Sequence, residues 1–456
     1  MKILLTHTYF ISEDPKEQLI MKPYVPLGIL YLSGYLEKHN FEHEVFDSTF
    51  SSFENQIGFV KNYKPDLIAI YVNLMTKLNV LKLIKILKTD PELNHIKIIL
   101  GGPEIRNHAE NFLLYGADIL VVGEGEETML GICKNFLENK IIPLNVSGTI
   151  LMYEGKLKIN LERALIKNID ELTFPNRKKI NLHQYLETWK KHHGSSTVSI
   201  STMRGCPYTC KWCSRAVYGG TYRRRSASLV VEEMMEIKKN YNPDMLWFVD
   251  DVFTISHKWL DQFAIELKKQ NLIFPFEIIT RADRLNEEVL KLLKEIGCRR
   301  IWIGAESGSQ KIIDAMDRRV DVQKVRDMIL LAKKCGIEAG TFIMLGYPGE
   351  TYQDIKETIL HLIISKPDYY TITIAYPIKG TSLYNEIESK ITTTLNWSET
   401  TDRQIDFKRT YTKKYYEYAV RWVYNEVKLA NEKKFLSKLK LKTKAILSQS
   451  MMFYSR

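Results

Sequence analysis

The sequence predicts an α/β protein in two successive parts: a doubly wound parallel sheet, then a partial (β/α)6 barrel, followed by a helical C-terminal region. Three observations carry that expectation. Short apolar strands alternate with amphipathic helices over residues 1–147, the same alternation restarts at Thr197 and runs to about Ala375, and a turn-rich stretch, residues 148–179, separates the two. A chain of 456 residues also exceeds one ordinary core, so more than one domain is required.

In the first part, strands are expected at residues 2–6, 44–47, 67–72, 97–100 and 119–122, with helical spacing at 27–39 and 78–88. Strands separated by helices join by crossovers rather than hairpins, which makes the sheet parallel. Ligands of such sheets sit at the carboxyl ends of the strands. Two glycine pairs fall there, in Gly101-Gly102-Pro103-Glu104 and Gly123-Glu124-Gly125-Glu126. Glycine lets the backbone approach a ligand or turn with positive φ. A connector follows, with a hairpin through Glu154-Gly155, then Ile169-Asp170-Glu171-Leu172 and Pro175. The expected boundaries are 1–147, a linker at 148–192, the barrel at 193–385 and a basic helical region at 386–456.

Barrel strands are expected at 197–202, 245–249, 276–280, 300–304, 340–345 and 369–375, with helices such as 230–240, 259–269, 287–296 and 324–335 between them. Chemistry in parallel barrels gathers at the carboxyl ends of strands. Those ends read Asp250-Asp251, Thr280-Arg281, Gly304-Ala305-Glu306-Ser307-Gly308 and Gly346-Tyr347-Pro348-Gly349-Glu350. Charges placed directly after apolar strands are costly to bury unless partnered, so they imply a convergent polar site, or else salt bridges among Asp251, Arg281 and Arg284 that close the rim. The 346–350 run lacks the G-K-[ST] of a phosphate loop and reads as a tight turn.

The first barrel strand leads into Arg204-Gly205-Cys206-Pro207-Tyr208-Thr209-Cys210-Lys211-Trp212-Cys213. This C-x3-C-x2-C spacing has no fourth cysteine nearby. Three thiolates on one loop can hold three irons of a 4Fe–4S cubane and leave the fourth iron open to a small molecule. Zinc sites usually present two ligand pairs, and no second pair follows. The chain has six cysteines and starts without the phases of a signal peptide, which argues against disulfides. Cys133, Cys298 and Cys335 are expected as small buried apolar residues.

These residues resemble the signature of radical S-adenosylmethionine (SAM) enzymes, C-x3-C-x-(aromatic)-C, with Trp212 in the aromatic place. The resemblance implies that Cys206, Cys210 and Cys213 bind the cluster, and that Trp212 lies near the adenine of SAM. The open iron would chelate the methionine part of SAM, and an electron passed through the cluster would release a 5′-deoxyadenosyl radical. Phe248-Val249-Asp250-Asp251 and the segment around Glu306 and Ser307 resemble SAM-contacting motifs, so Asp250, Glu306 and Ser307 are expected as acceptors for SAM. Arg281 is expected to pair with its carboxylate. The order Pro26-Leu27-Gly28, Gly101-Gly102, Gly123-Glu124-Gly125, then the cysteine loop resembles the cobalamin-binding radical SAM class. This implies a Rossmann-like first domain in which Gly101, Gly102, Gly123, Glu124 and Gly125 wrap cobalamin. The D-x-H-x-x-G of many cobalamin proteins is absent, since the chain reads Thr6-His7-Thr8-Tyr9-Phe10, so His7 is not expected to ligate cobalt.

The class implies methylation of an unactivated carbon or a phosphinate phosphorus of a small molecule or lipid, one SAM recharging cobalt with methyl and a second supplying the radical. The alternatives are an oxidative cyclase of the tetrapyrrole type and an RNA methylthiotransferase. The second is disfavoured because Cys133 is the only cysteine of the first part. A cobalamin sensor is disfavoured by the cysteine loop. An external low-potential donor such as flavodoxin or ferredoxin and a reducing cytoplasm are implied.

The net charge of +11 is concentrated at the end: residues 401–456 hold 14 Lys and Arg against 5 Asp and Glu. Aromatics interleave with those bases from about Thr393 onward, where helical spacing begins. Packing of ordinary helices explains them better than stacking on nucleic acid. Residues 433–454 mix six lysines with Phe435, Leu436, Leu439, Ile446, Leu447, Met451, Met452 and Phe453, a pattern suited to an anionic membrane surface, to capping the barrel or to fraying in solution.

Overall fold

In a computed structural model that describes Met1–Arg456, the first alternating stretch forms β1 (Ile3–His7), β2 (His43–Phe46), β3 (Leu67–Tyr71), β4 (Lys97–Gly101) and β5 (Ile119–Val121). With β6 (Thr149–Tyr153) and β7 (Lys156–Ile159) they build one sheet of order β2-β1-β3-β4-β5-β6-β7, parallel up to β5. The order reverses between β1 and β3, which opens a crevice at the carboxyl ends of those strands. Leu4, Ile68, Ile70, Val80, Leu81 and Leu100 are sealed in the core between sheet and helices. The expected hairpin forms through Glu154 and Gly155, both at positive φ. It is more than a connector, because β6 pairs antiparallel with β5 and buries Thr149, Ile150 and Leu151. Helices Phe53–Tyr63, Ala109–Leu114, Glu126–Asn139 and Leu182–His193 add to those expected.

All six expected barrel strands form, the first being β8 (Thr197–Ile200), fully buried. Met245–Phe248, Phe276–Thr280, Cys298–Glu306, Glu338–Leu345 and Tyr369–Ile374 follow as parallel neighbours in chain order, in a curled half-barrel. Helices His257–Lys269, Glu287–Glu295, Val322–Lys334 and Tyr352–Ser365 alternate with them. The Cys298–Glu306 strand runs past the expected end at Gly304. A register shift between Gly304 and Glu306, with Glu306 at φ 67°, lets it do so.

By its internal contacts the chain divides into a first unit, Met1–Cys206, Ser214–Met245 and Leu395–Thr401, and a second, Pro207–Cys213, Leu246–Thr394 and Asp402–Arg456. Helical structure does not begin at Thr393 as the spacing suggested but at Lys413, in helices Lys413–Asn431 and Phe435–Tyr454. The reason is local. Trp397 stacks edge-on to Phe112 at 4.8 Å, and Lys77 Nζ lies 4.5 Å above its ring and donates to Thr400 O at 2.8 Å, which holds the segment as an irregular strap of the first unit. Tyr415, Tyr416 and Trp422 are buried, so the aromatics of the next helix pack it. Cys133 and Cys298 are buried as expected. Cys335 is half-buried, because it caps the surface end of helix Val322–Lys334. No helix is long and apolar enough to cross a membrane.

Candidate cofactor sites

In the first unit a cavity of about 260 Å³ opens where the strand order reverses, at the ends of β1, β3, β4 and β5. Its wall includes all five predicted residues, Gly101, Gly102, Gly123, Glu124 and Gly125, together with Gly28. The glycines act in two ways. At Gly28, Gly101 and Gly125 an added Cβ would find its nearest neighbour 3.9 Å away, so larger side chains there would grow into the cavity. Gly102, at φ 113°, is required by the backbone, since a Cβ would collide with Val72 O. A cradle kept free of side chains fits a large ligand that backbone must approach closely.

Glu124 stands in the same wall with its carboxylate already engaged. It accepts from Arg204 Nη1 at 2.8 Å, Arg223 Nη1 at 2.7 Å and the Ile166 N–H at 2.8 Å. Burial alone would raise its carboxyl, but Arg204 and Arg223 hold it below the usual carboxylate range. Glu126 shares Arg204, whose guanidinium lies 5.4 Å from the rings of both Tyr31 and Tyr218. Sequence reasoning did not select Arg204 or Arg223; the only signal was a basic residue directly ahead of Gly205-Cys206. Both ring nitrogens of His7 are engaged within the protein. Its Nε2 is 3.0 Å from Asp47, and its Nδ1 faces Ser48 Oγ at 3.0 Å and the Tyr9 N–H at 3.2 Å.

In the second unit the cysteine loop is pinned at Lys211, whose N–H donates to Met316 O at 3.1 Å and whose carbonyl accepts from Leu383 N at 2.9 Å. Cys210 is buried, Cys213 exposed and Cys206 half-buried. Two buried guanidinium groups, Arg281 Nη1 and Arg318 Nη1, each donate to Cys210 Sγ at 3.8 Å. A hydrogen bond from Cys213, reinforced by Arg318 and Arg281 and opposed by burial, pulls the Cys210 thiol down to about 6. A lowered thiol pKa favours the thiolate that iron requires. Thiols spread along one loop suit the separated corners of a cubane.

Arg281 is held by several protein acceptors. Besides Cys210 it donates to Asp283 at 2.8 Å and to the carbonyls of Arg318 and Arg319 at 2.7 and 3.3 Å, and it lies 3.8 Å from the Tyr208 ring. These contacts brace the cysteine loop. Glu306 faces Arg318 across 3.7 Å, and burial raises its carboxyl. A Cβ at Gly304 would displace the Arg318 guanidinium, which donates to Gly304 O at 2.8 Å. Ser307 is buried, 3.2 Å from Thr358 Oγ1, and accepts from the Ser309 N–H. Asp250 is buried at its strand end. Trp212 packs partly buried against Ile312, Met316 and Tyr347. Arg318 escaped sequence reasoning because nothing local marks it.

Two family models match the chain: the B12 binding domain over residues 21–132 and the radical SAM superfamily over residues 200–362. An uncharacterized methyltransferase of Pyrococcus horikoshii is 29% identical over 413 residues, covering 88% of this chain and 86% of the relative. The anaerobic magnesium-protoporphyrin IX monomethyl ester cyclase of Rubrivivax gelatinosus is 24% identical, covering 86% and 71%. Among solved structures, a cobalamin-dependent SAM radical enzyme, OxsB, with aqua-cobalamin and SAM bound, superposes with a TM-score of 0.74 at 16% identity, covering 99% of this chain and 72% of that one.

Proposed function

The chain is a radical SAM protein with a B12-binding domain, and from that premise we propose that it is a cobalamin-dependent methyltransferase acting on an unactivated carbon or a phosphinate phosphorus of a small molecule. The observation that carries the proposal is the presence in one chain of two unlike sites, a glycine cradle suited to cobalamin and a three-cysteine loop suited to a cluster with an open iron. The methyltransferase name of a relative that spans most of the chain supports it.

Cys206, Cys210 and Cys213 would hold three irons, and Gly28, Gly101 and Gly125 would leave room for cobalamin. Bound together, the cluster with SAM and the cobalamin supply a hydrogen-abstracting radical and a methyl donor. The residues of the chain do the rest. Arg281 and Arg318 donate to Cys210 Sγ, where their positive charge favours its thiolate form, and fix the loop's orientation. Glu306 offers a carboxylate beside that loop, on a strand end where the barrel excludes water. For a carbon substrate the net balance is one C–H compound, two SAM and two electrons giving the methylated product, 5′-deoxyadenosine, methionine and S-adenosylhomocysteine. The electrons come from an external low-potential donor of flavodoxin or ferredoxin type, in a reducing cytoplasm.

The test is anaerobic incubation of reconstituted protein with reductant, methylcobalamin, methyl-labelled SAM and a small-molecule extract of its own cells. A new labelled small molecule is the expected result. Deoxyadenosine with an unlabelled, oxidised product would replace this reading by the cyclase reading, which the Rubrivivax relative also favours.

A further inference from the structure

The last helix, Phe435–Tyr454, is attached to the rest of its unit by one side alone. Ala445, Ser448 and Met452 are its buried residues. Ser448 meets Asn425 of helix Lys413–Asn431 at 3.5 Å, and Phe453 packs 5.5 Å from the Tyr352 ring. From Phe435 to Lys444 nothing is buried. At 3.6 residues per turn, Leu436, Leu439, Ile446, Leu447 and Tyr454 fall on the side opposite the attached one. Phe435 and Leu436 are each 79% exposed and Tyr454 90%. The same rotation places Lys442 along one border of this apolar face and Lys440 and Lys444 along the other, with Lys438 exposed nearer the attached side. No Asp or Glu occurs from Lys433 to Arg456.

We propose that this face is a docking surface for an anionic phospholipid membrane, with the helix lying in the interface plane. Two features have to be satisfied at once. A nucleic acid would engage the lysines and leave the leucines in water. A protein groove would cover the leucines without requiring cations along both borders. A lipid interface takes both, the apolar stripe entering the acyl boundary while the flanking ammonium groups meet headgroup phosphates. The helix is too rich in lysine to span the bilayer, in keeping with the absence of any spanning helix. The proposal is independent of what the enzyme methylates.

The experiment is co-sedimentation of the full chain with vesicles of phosphatidylcholine and phosphatidylglycerol in equal parts, and with vesicles of phosphatidylcholine alone. Binding to the anionic vesicles alone is expected, weakened by added salt. The triple variant L436S/L439S/L447S alters only exposed positions, so its fold should stand; its partition onto anionic vesicles should fall at least about tenfold. Removing the lysine charges with K438Q, K440Q, K442Q and K444Q should cost about fivefold each. A Leu436→Trp variant should gain a fluorescence component quenched by brominated lipid. Equal binding to neutral and anionic vesicles would overturn the proposal, as would serine variants that bind like the parent. So would a protein that is dimeric without vesicles and becomes monomeric in the serine variant while vesicle binding is unchanged, because the face would then be a contact between copies.

Discussion

In the first unit, an added Cβ at Gly28, Gly101 or Gly125 would find its nearest neighbour 3.9 Å away, whereas in the second Arg281 and Arg318 bring two guanidinium groups to within 3.8 Å of one sulfur. One wall is defined by side chains left out and the other by side chains crowded in. The contrast follows from what each site would hold. A large ligand that is bound largely through its shape needs backbone access and volume, so glycine is the working residue. A cluster bound through thiolates needs charge compensation in a dry place, so buried arginines are the working residues. The first kind of site should fail by filling, the second by loss of a ligand.

The largest effect should come from Cys210→Ala. Iron and sulfide content should fall below stoichiometry and SAM cleavage by at least about thousandfold, while cobalamin binding, followed by its visible absorption, stays within about twofold. Loss of both cofactors together would break the contrast. Next in size is Gly101→Leu, whose side chain has room only in the cavity. Cobalamin affinity should drop about a hundredfold with iron content unchanged and the unfolding midpoint nearly so. Gly102→Ala sharpens the point. With φ at 113° and Val72 O in the way, it should lower stability by about 2 kcal/mol or more before any ligand is added.

The two sites were unequally legible in the sequence. Spacing along eight consecutive residues is enough to identify the cysteine loop, because its ligands are local. The glycine pairs were legible because strand-to-helix turns mark where the strand ends lie. The braces were not: Arg318 reaches Cys210 across 108 residues, a pairing that only the folded barrel creates. Arg223, which closes on Glu124 across 99 residues, was hidden for the same reason. The irregular strap at Trp397 was misread as helix because its hold comes from Lys77 and Phe112, far away in the chain.

The smallest predicted effect separates the two units by the sign of their pH response. Glu350 is fully buried in the tight turn after the Glu338–Leu345 strand; its Oε2 accepts from the Gly346 N–H at 2.6 Å and its Oε1 has no partner. Burial, with some opposition from that hydrogen bond, pushes its carboxyl up from 4.5 to about 8. Below pH 4.5 both folded and unfolded chains carry the proton, and the group costs nothing. As pH rises toward 8 the unfolded chain ionises while the folded one stays protonated, so stability is lost with increasing pH. His361, pushed down from 6.5 to about 3 by burial, acts in the opposite direction and only below 6.5. Between pH 6.5 and 8, therefore, Glu350 should cost about 2 kcal/mol, read as a fall of several degrees in the unfolding midpoint of the second unit. Glu350→Gln should flatten that slope, because the amide oxygen can still accept from Gly346 without ionising. In the first unit the corresponding carboxylate, Glu124, is held low by Arg204 and Arg223, so its contribution is lost only as pH falls and the same rise leaves it untouched. An equal slope in the parent and in E350Q would show that burial without charge compensation is not what distinguishes this turn from the arginine-compensated wall of the cavity.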